Sequence, residues 1–127
     1  IDPARSRIHV TKSGIDGKYL PLLCQHCEEP ICSQVCPTNA IYKEDDSHRV
    51  LVTENKCVSC RACISVCPLG ALEYDGINKR ILRCDLCDGQ PACVKACEEN
   101  ALIYMEKDSF NKKDNKTAVR KIWGQIL

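Results

Sequence analysis

Aromatic side chains are scarce in this sequence. Phe110, Trp123, Tyr19, Tyr42, Tyr74 and Tyr104 are the whole set in 127 residues, so an ordinary aromatic-rich core is not available and something else must hold the chain together. An excess of charge of either sign is also missing: 18 Lys and Arg face 17 Asp and Glu, a formal charge of +1. That balance gives no support to nucleic-acid binding. No apolar run approaches the ~20 residues needed to span a bilayer, and the sequence as it stands shows no secretory signal pattern. Arg5-Ser6-Arg7 is not a twin-arginine export signal, because the arginines are not adjacent and no apolar segment follows. A cytoplasmic protein without a direct membrane span is expected. Ser/His/Asp and Cys/His catalytic arrangements and Gly-rich phosphate loops are absent as well, so no catalytic residue of its own is expected.

Cysteine is abundant instead. Twelve occur, a density that in a short secreted chain would suggest a disulfide scaffold. Disulfides, however, need no repeated C-x2-C spacing, and the groups here have it. The stretch Cys57 to Pro68 reads C-V-S-C-R-A-C-I-S-V-C-P, the C-x2-C-x2-C-x3-C-P run of bacterial-type iron–sulfur sites. A cube of four irons and four sulfides needs a thiolate at each iron, and a short loop converges three of them while leaving backbone N–H groups free to face sulfur. A second group, Cys24, Cys27, Cys32 and Cys36, precedes this run, and a third, Cys84, Cys87, Cys93 and Cys97, follows it. With three four-iron clusters, each about −2 with its thiolates, the net charge becomes about −5. Zinc is the alternative occupant of C-x2-C knuckles, and the third group can be made to fit it.

The residues after each group repeat. Cys36-Pro37-Thr38-Asn39-Ala40-Ile41, Cys67-Pro68-Leu69-Gly70-Ala71-Leu72 and Cys97-Glu98-Glu99-Asn100-Ala101-Leu102 align without gaps. Proline stops a helical turn, Asn or Gly accepts the left-handed conformation that redirects the chain, and Ala with the branched residue after it enters a strand. Hairpins are predicted from Tyr42 to Thr53, turning through Glu44 to Ser47, and around Asp75-Gly76-Ile77-Asn78, returning through Arg80-Ile81-Leu82. No return strand is evident after Leu102.

The fourth cysteine of such a run typically serves the other cluster of a pair. Cys32 and Cys36, like Cys63 and Cys67, are four residues apart, so a helical turn carries the chain from one site towards its neighbour. Crossing assigns Cys24, Cys27, Cys32 and Cys67 to a first cluster and Cys57, Cys60, Cys63 and Cys36 to a second. Cys84, Cys87, Cys93 and Cys97 then hold a third, with Cys97 open to a further one.

Taken together the groups resemble the ferredoxin-like multi-[4Fe-4S] electron-transfer subunits that accompany molybdenum and tungsten enzymes, carbon monoxide dehydrogenases and hydrogenases. Cys24-Gln25-His26-Cys27-Glu28-Glu29-Pro30-Ile31-Cys32 looks like that family's C-x-H-C-x-x-P-x-C signature, and Cys84-Asp85-Leu86-Cys87 with Pro91 to Cys97 looks like its last group. Pro3-Ala4-Arg5-Ser6-Arg7-Ile8 looks like the segment that follows its first group, and Arg-Ser-Arg-Ile leans towards subunits of tungsten aldehyde oxidoreductases or carbon monoxide dehydrogenases. The family's first four-cysteine group does not occur here, and Glu98 stands where the family usually has Pro. The resemblance therefore implies at least three [4Fe-4S] clusters, a fourth if a preceding group belongs to the protein, and a start that is N-terminally incomplete.

The fold expected is α+β: a bacterial-type 2[4Fe-4S] ferredoxin-like module with a pseudo-twofold repeat, plus an additional cluster site. Residues 1–23 form an N-terminal segment read as a solvated basic lead-in, 24–106 the iron–sulfur domain and 107–127 a C-terminal extension. In that extension Ala118, Ile122 and Ile126 fall at helical spacing and are expected to dock on a partner. His26 is expected to pack or to donate a hydrogen bond towards a sulfide rather than to ligate. Arg61, inside the central loop, either raises a cluster's potential or is solvated. Tyr42, Tyr74 and Tyr104 are read as packing residues. The function expected is electron relay between a large catalytic oxidoreductase subunit and another carrier, further electron-carrier subunits included. A freely diffusing polyferredoxin and a zinc-binding interaction module are the alternatives.

Overall fold

In a computed structural model, residues 5–14 and 17–105 are described. The 107–127 extension, with its Ala118, Ile122 and Ile126 stripe and Trp123, lies outside the described residues, as do Pro3 and Ala4. The chain divides into two units, Ile1–Asp88 and Gly89–Leu127.

Among its described residues, the first unit carries three antiparallel hairpins and two short α-helices. β1 (His9–Ser13) pairs with β2 (Lys18–Leu22), β3 (Ile41–Lys43) with β4 (Val50–Val52), and β5 (Glu73–Asp75) with β6 (Arg80–Leu82). The helix α1 (Ile31–Gln34) precedes β3, and α2 (Ala62–Val66) precedes β5. Helix and hairpin thus recur in the same order, the helix inside each of the first two cysteine groups and the hairpin after it. Helices of four and five residues have no stability of their own in water; α1 packs on α2, and Ser33 Oγ donates to the Ile41 carbonyl at 2.7 Å.

Both predicted hairpins are present, with register Ile41↔Val52 and Glu73↔Leu82. Their inward residues make the core: Ile41, Val50, Leu72 and Ile81 pack with Cys32 and Cys63, and Cys36, Cys57 and Cys67 lie against that cluster. Val50 is the largest side chain that is fully buried. The core is accordingly small, and cysteine makes up much of its surface. Tyr74 packs against it, as expected, while Tyr42 and Tyr104 stand exposed.

The N-terminal segment departs from a solvated lead-in. Its residues form the β1–β2 hairpin, with Thr11 opposite Leu20 and Lys12 opposite Tyr19, and two of its arginines are tied to the core. Arg5 donates to Asp75 Oδ2 at 3.1 Å, and Arg7 Nε donates to the Arg83 carbonyl at 2.9 Å. Asp75 is almost wholly buried at 4% exposure, and it organises the β5–β6 turn by accepting from the Ile77 N–H (3.0 Å), the Asn78 N–H (3.2 Å) and Asn78 Nδ2 (2.7 Å). Such bonding of an Asp to the backbone ahead of it is how Asp fixes a turn. The longer β3–β4 connection is closed by Arg49, which reaches Glu44 (3.0 Å) within the loop and Asp88 (3.0 Å) beyond it. In the second unit α3 (Ala92–Ala96) follows Pro91, and 101–105 form no strand.

The Asn78 amide, foremost, outweighs the effect of burial and, with the backbone N–H groups of Asn78 and Ile77 and the Arg5 charge, holds the Asp75 carboxyl down at about 2. Because this value lies below the ordinary carboxylate range, the stabilisation is complete above about pH 4 and is lost as pH falls towards 2. Amide exchange of Ile77 and Asn78 should therefore be faster in Asp75→Asn than in the parent at pH 5, and the difference should disappear towards pH 2. Equal protection at pH 5 would show that the turn does not depend on the carboxylate.

Candidate metal centres

The three repeated segments fold into one local structure. Asn39, Gly70 and Asn100 have φ of 51°, 58° and 51°, the left-handed conformation expected of Asn and Gly at this place. The turn is closed in each case by an N–H to the cysteine carbonyl, from Asn39 to Cys36 (3.3 Å), Gly70 to Cys67 (3.2 Å) and Asn100 to Cys97 (3.2 Å). It aims the next N–H at sulfur: Ala40 donates to Cys36 Sγ at 3.3 Å, Ala71 to Cys67 Sγ at 3.5 Å and Ala101 to Cys97 Sγ at 3.2 Å. The repeat is a sulfur-cradling loop. Burial pushes the Cys36 thiol up, but bonds from the backbone of Ile41, Thr38 and Ala40 and from the Thr38 hydroxyl outweigh it and leave the thiol below its ordinary value.

Two cavities of nearly equal size lie in the first unit. One is lined by Cys24, Cys27, Cys32 and Cys67; the other by Cys36, Cys57, Cys60 and Cys63. Each takes three cysteines from one group and one from the other. The middle cysteine of each near set, Cys27 or Cys60, is exposed, and the rest are buried or half-buried. Burial first, and then the neighbouring Cys32, Cys60 and Cys57, push the Cys63 thiol up to about 11.

The donor set decides what fits. Among the described residues, no three His, Cys, Asp or Glu side chains converge closely enough to hold a single ion, yet four thiols ring each cavity. A tetrahedral zinc draws its sulfurs to about 2.3 Å from one centre, whereas a four-iron cube spaces them at its corners and accepts hydrogen bonds at sulfur. The cavities suit the cube.

These features have a family match. The sequence pattern of the 4Fe-4S dicluster domain is matched over residues 15–107. The protein belongs to the 4Fe-4S dicluster domain family. Similar proteins include a sulfite dehydrogenase subunit of Allochromatium vinosum, 42% identical over 98 residues, covering 68% of this chain and 41% of that protein. An anaerobic dimethyl sulfoxide reductase chain of Escherichia coli is 39% identical over 101 residues, 75% of this chain and 49% of that one. The beta subunit of an NADH-dependent phenylglyoxylate dehydrogenase of Aromatoleum evansii is 37% identical over 106 residues, 82% and 24%. The chain spans less than half the length of each of these relatives. A dicluster domain calls for two clusters, and the first unit presents two cysteine-ringed cavities.

Other residues singled out in the sequence sit as follows. Cys84 and Cys87 belong to the first unit, and Cys93 and Cys97 to the second. His26 Nδ1 accepts the Val50 N–H at 2.9 Å, which ties the first cysteine loop to β4, and its Nε2 is buried without a hydrogen-bond partner among the described residues. Burial first, and then Arg83 and Arg49, lower its pKa to about 4, so the ring is neutral near pH 7. Arg61 begins α2 in the left-handed region (φ 63°), and its guanidinium lies over the Tyr74 ring, Cζ 4.0 Å from the centroid. Its side chain is exposed and stands in the lining of the cavity formed with Cys57, Cys60 and Cys63.

Arg83 was not legible in the sequence. It is only 7% exposed and donates to Cys24 Sγ at 2.9 Å and to Cys32 Sγ at 3.6 Å. The one sequence hint is a charged residue directly after the buried Ile81-Leu82 pair.

Gly70 tests the cradle, because a Cβ placed there meets nothing within 4 Å and any cost is conformational. Gly70→Ala should cost about 1–2 kcal/mol, read as faster bleaching of visible absorbance in denaturant. Gly70→Asn should be nearly neutral, since Asn serves at 39 and 100; an equal cost for both would refute the shared loop.

Proposed function

We propose that this chain is an electron-transfer iron–sulfur subunit, resident in the cytoplasm, of a complex whose substrate chemistry lies in a large catalytic subunit. The observation that carries this is the pair of four-thiol cavities, each assembled from two cysteine groups, with nothing beside them among the described residues that resembles catalytic machinery. When bound, a [4Fe-4S] cluster supplies one-electron acceptance and release without making or breaking bonds.

The protein's own residues hold and insulate. Cys24, Cys27, Cys32 and Cys67 would hold one cluster, and Cys57, Cys60, Cys63 and Cys36 the other, a pseudo-twofold exchange of ligands. Ala40 and Ala71 donate N–H groups to the two exchanged sulfurs, and Ile41, Val50, Leu72 and Ile81 keep water from the space between them. The exposed Cys27 and Cys60 leave each site one edge near solvent, where a partner carrier can approach. The spacing of Cys84, Cys87, Cys93 and Cys97, and the Ala101 N–H on Cys97 Sγ, support a third cluster.

The relatives' names support a subunit role, since the sulfite dehydrogenase and dimethyl sulfoxide reductase proteins are each named as one component of an oxidoreductase. For the catalytic partner, the Arg5-Ser6-Arg7-Ile8 segment supports a tungsten aldehyde oxidoreductase or a carbon monoxide dehydrogenase. Anaerobic purification of the native protein is expected to yield brown material containing a large oxidoreductase subunit and more iron and sulfide than two clusters supply. Recovery alone would favour the polyferredoxin, and colourless zinc protein would overturn the reading.

Ligand exchange has its own test. Cys67→Ser should alter the spectroscopic signal that Cys24→Ser alters and leave the one altered by Cys57→Ser intact. Damage confined to the latter signal would mean that each group serves its own cluster.

A further inference from the structure

The two cavities match in cysteine number and differ in charge. Beside Cys24 and Cys32 stands the buried Arg83, its two terminal nitrogens each donating to a sulfur. The salt bridges found among the described residues do not include Arg83, and its Nε is buried without a hydrogen-bond partner there. A buried cation is costly unless an anion compensates it, and the four thiolates and metal that this cavity would take are that anion. At the other cavity the lining arginine is Arg61, which is exposed and laid over Tyr74, where water and salt screen it.

The geometry points to Arg83 as the residue that sets the electron affinity of the Cys24, Cys27, Cys32 and Cys67 site above that of the Cys36, Cys57, Cys60 and Cys63 site. This rests on reading both cavities as [4Fe-4S] sites. Adding an electron makes a site already at about −2 more negative. A guanidinium in contact with two of its sulfurs stabilises that extra charge, the more so where water is excluded. The exchange concerned is of one electron: one site loses what the other gains, no bond changes and no proton moves. Arginine suits the position better than lysine because its fork offers separate donors to two sulfurs. Its backbone is held in turn, since its carbonyl accepts from Arg7 Nε at 2.9 Å. Arg83 is thus the end of a strap running from the N-terminal segment to the ligands.

The test is a redox titration of the anaerobic holoprotein, followed by electron paramagnetic resonance, with Cys27→Ser used to label the signal of the first site. In the parent protein the labelled signal should have the higher midpoint potential. Arg83→Gln should lower the electron affinity of that site at least tenfold, about 59 mV for one electron, and leave the other midpoint in place. Arg83→Lys should keep the greater part of the affinity. A labelled signal at the lower potential, or midpoints that stay fixed or move together in the variants, would overturn the inference. If Arg83→Gln loses the labelled cluster, the order of potentials in the parent and the Arg83→Lys titration decide. Iron and sulfide analysis separates the two levels of failure. Less than two clusters in the parent overturns the site reading itself, whereas full content with unmoved potentials overturns only the role of Arg83.

Discussion

Four sulfurs must be held at the corners of each metal site while the backbone between them keeps N–H groups free to face sulfur, and most of the described structure follows from that requirement. A regular helix spends its N–H groups on its own carbonyls, so helices here shrink to the single turns Ile31–Gln34 and Ala62–Val66. The left-handed residues at 39 and 70 then free the Ala40 and Ala71 donors. Strands of three residues follow because they need only close the core over the cysteines. Val50 and Ile41 do this from one hairpin and Leu72 and Ile81 from the other.

The same requirement makes the metal part of the fold. Burial, with the neighbouring thiols, holds the Cys63 thiol up at about 11. The metal-bound form nevertheless needs thiolates, so positive iron must arrive as the protons leave. With few aromatics, and Val50 the largest side chain wholly buried among the described residues, apolar burial in the first unit is modest, and below such core sizes metals commonly supply the missing stability. Arg83 adds to the coupling: a cation buried beside Cys24 and Cys32 opposes folding until an anion occupies the cavity.

What could be read from the sequence was whatever is local. Cysteine spacing, the Asn or Gly at the third position after each group, and both core hairpins depend on neighbours within a few residues, and all three recur in the structure. The β1–β2 hairpin was not legible. Its strands, including Val10, Thr11, Lys12, Tyr19 and Leu20, face solvent on most sides and lack the apolar alternation that marks a half-buried strand. Arg5 and Arg7 looked like surface charge because their partners lie 70 and 76 residues away. Arg83 was hidden for the same reason, since its sulfur contacts cross 59 and 51 residues.

That division between local and distant has a functional side. Repetition of a cysteine motif produces sites that are alike: the same cradle, the same number of thiols, one exposed sulfur each. Two identical sites give an electron no reason to rest on either, and a relay needs a gradient. The repeat cannot supply it, since any change inside the motif risks the ligand geometry that all copies share. Residues outside the motif can, because Arg83 lines one cavity and donates to its sulfurs without entering the loops, and its carbonyl is held in turn by Arg7. The N-terminal segment, which resembles mere lead-in by composition, meets that asymmetry at a single point, where Arg7 Nε donates to the carbonyl of Arg83.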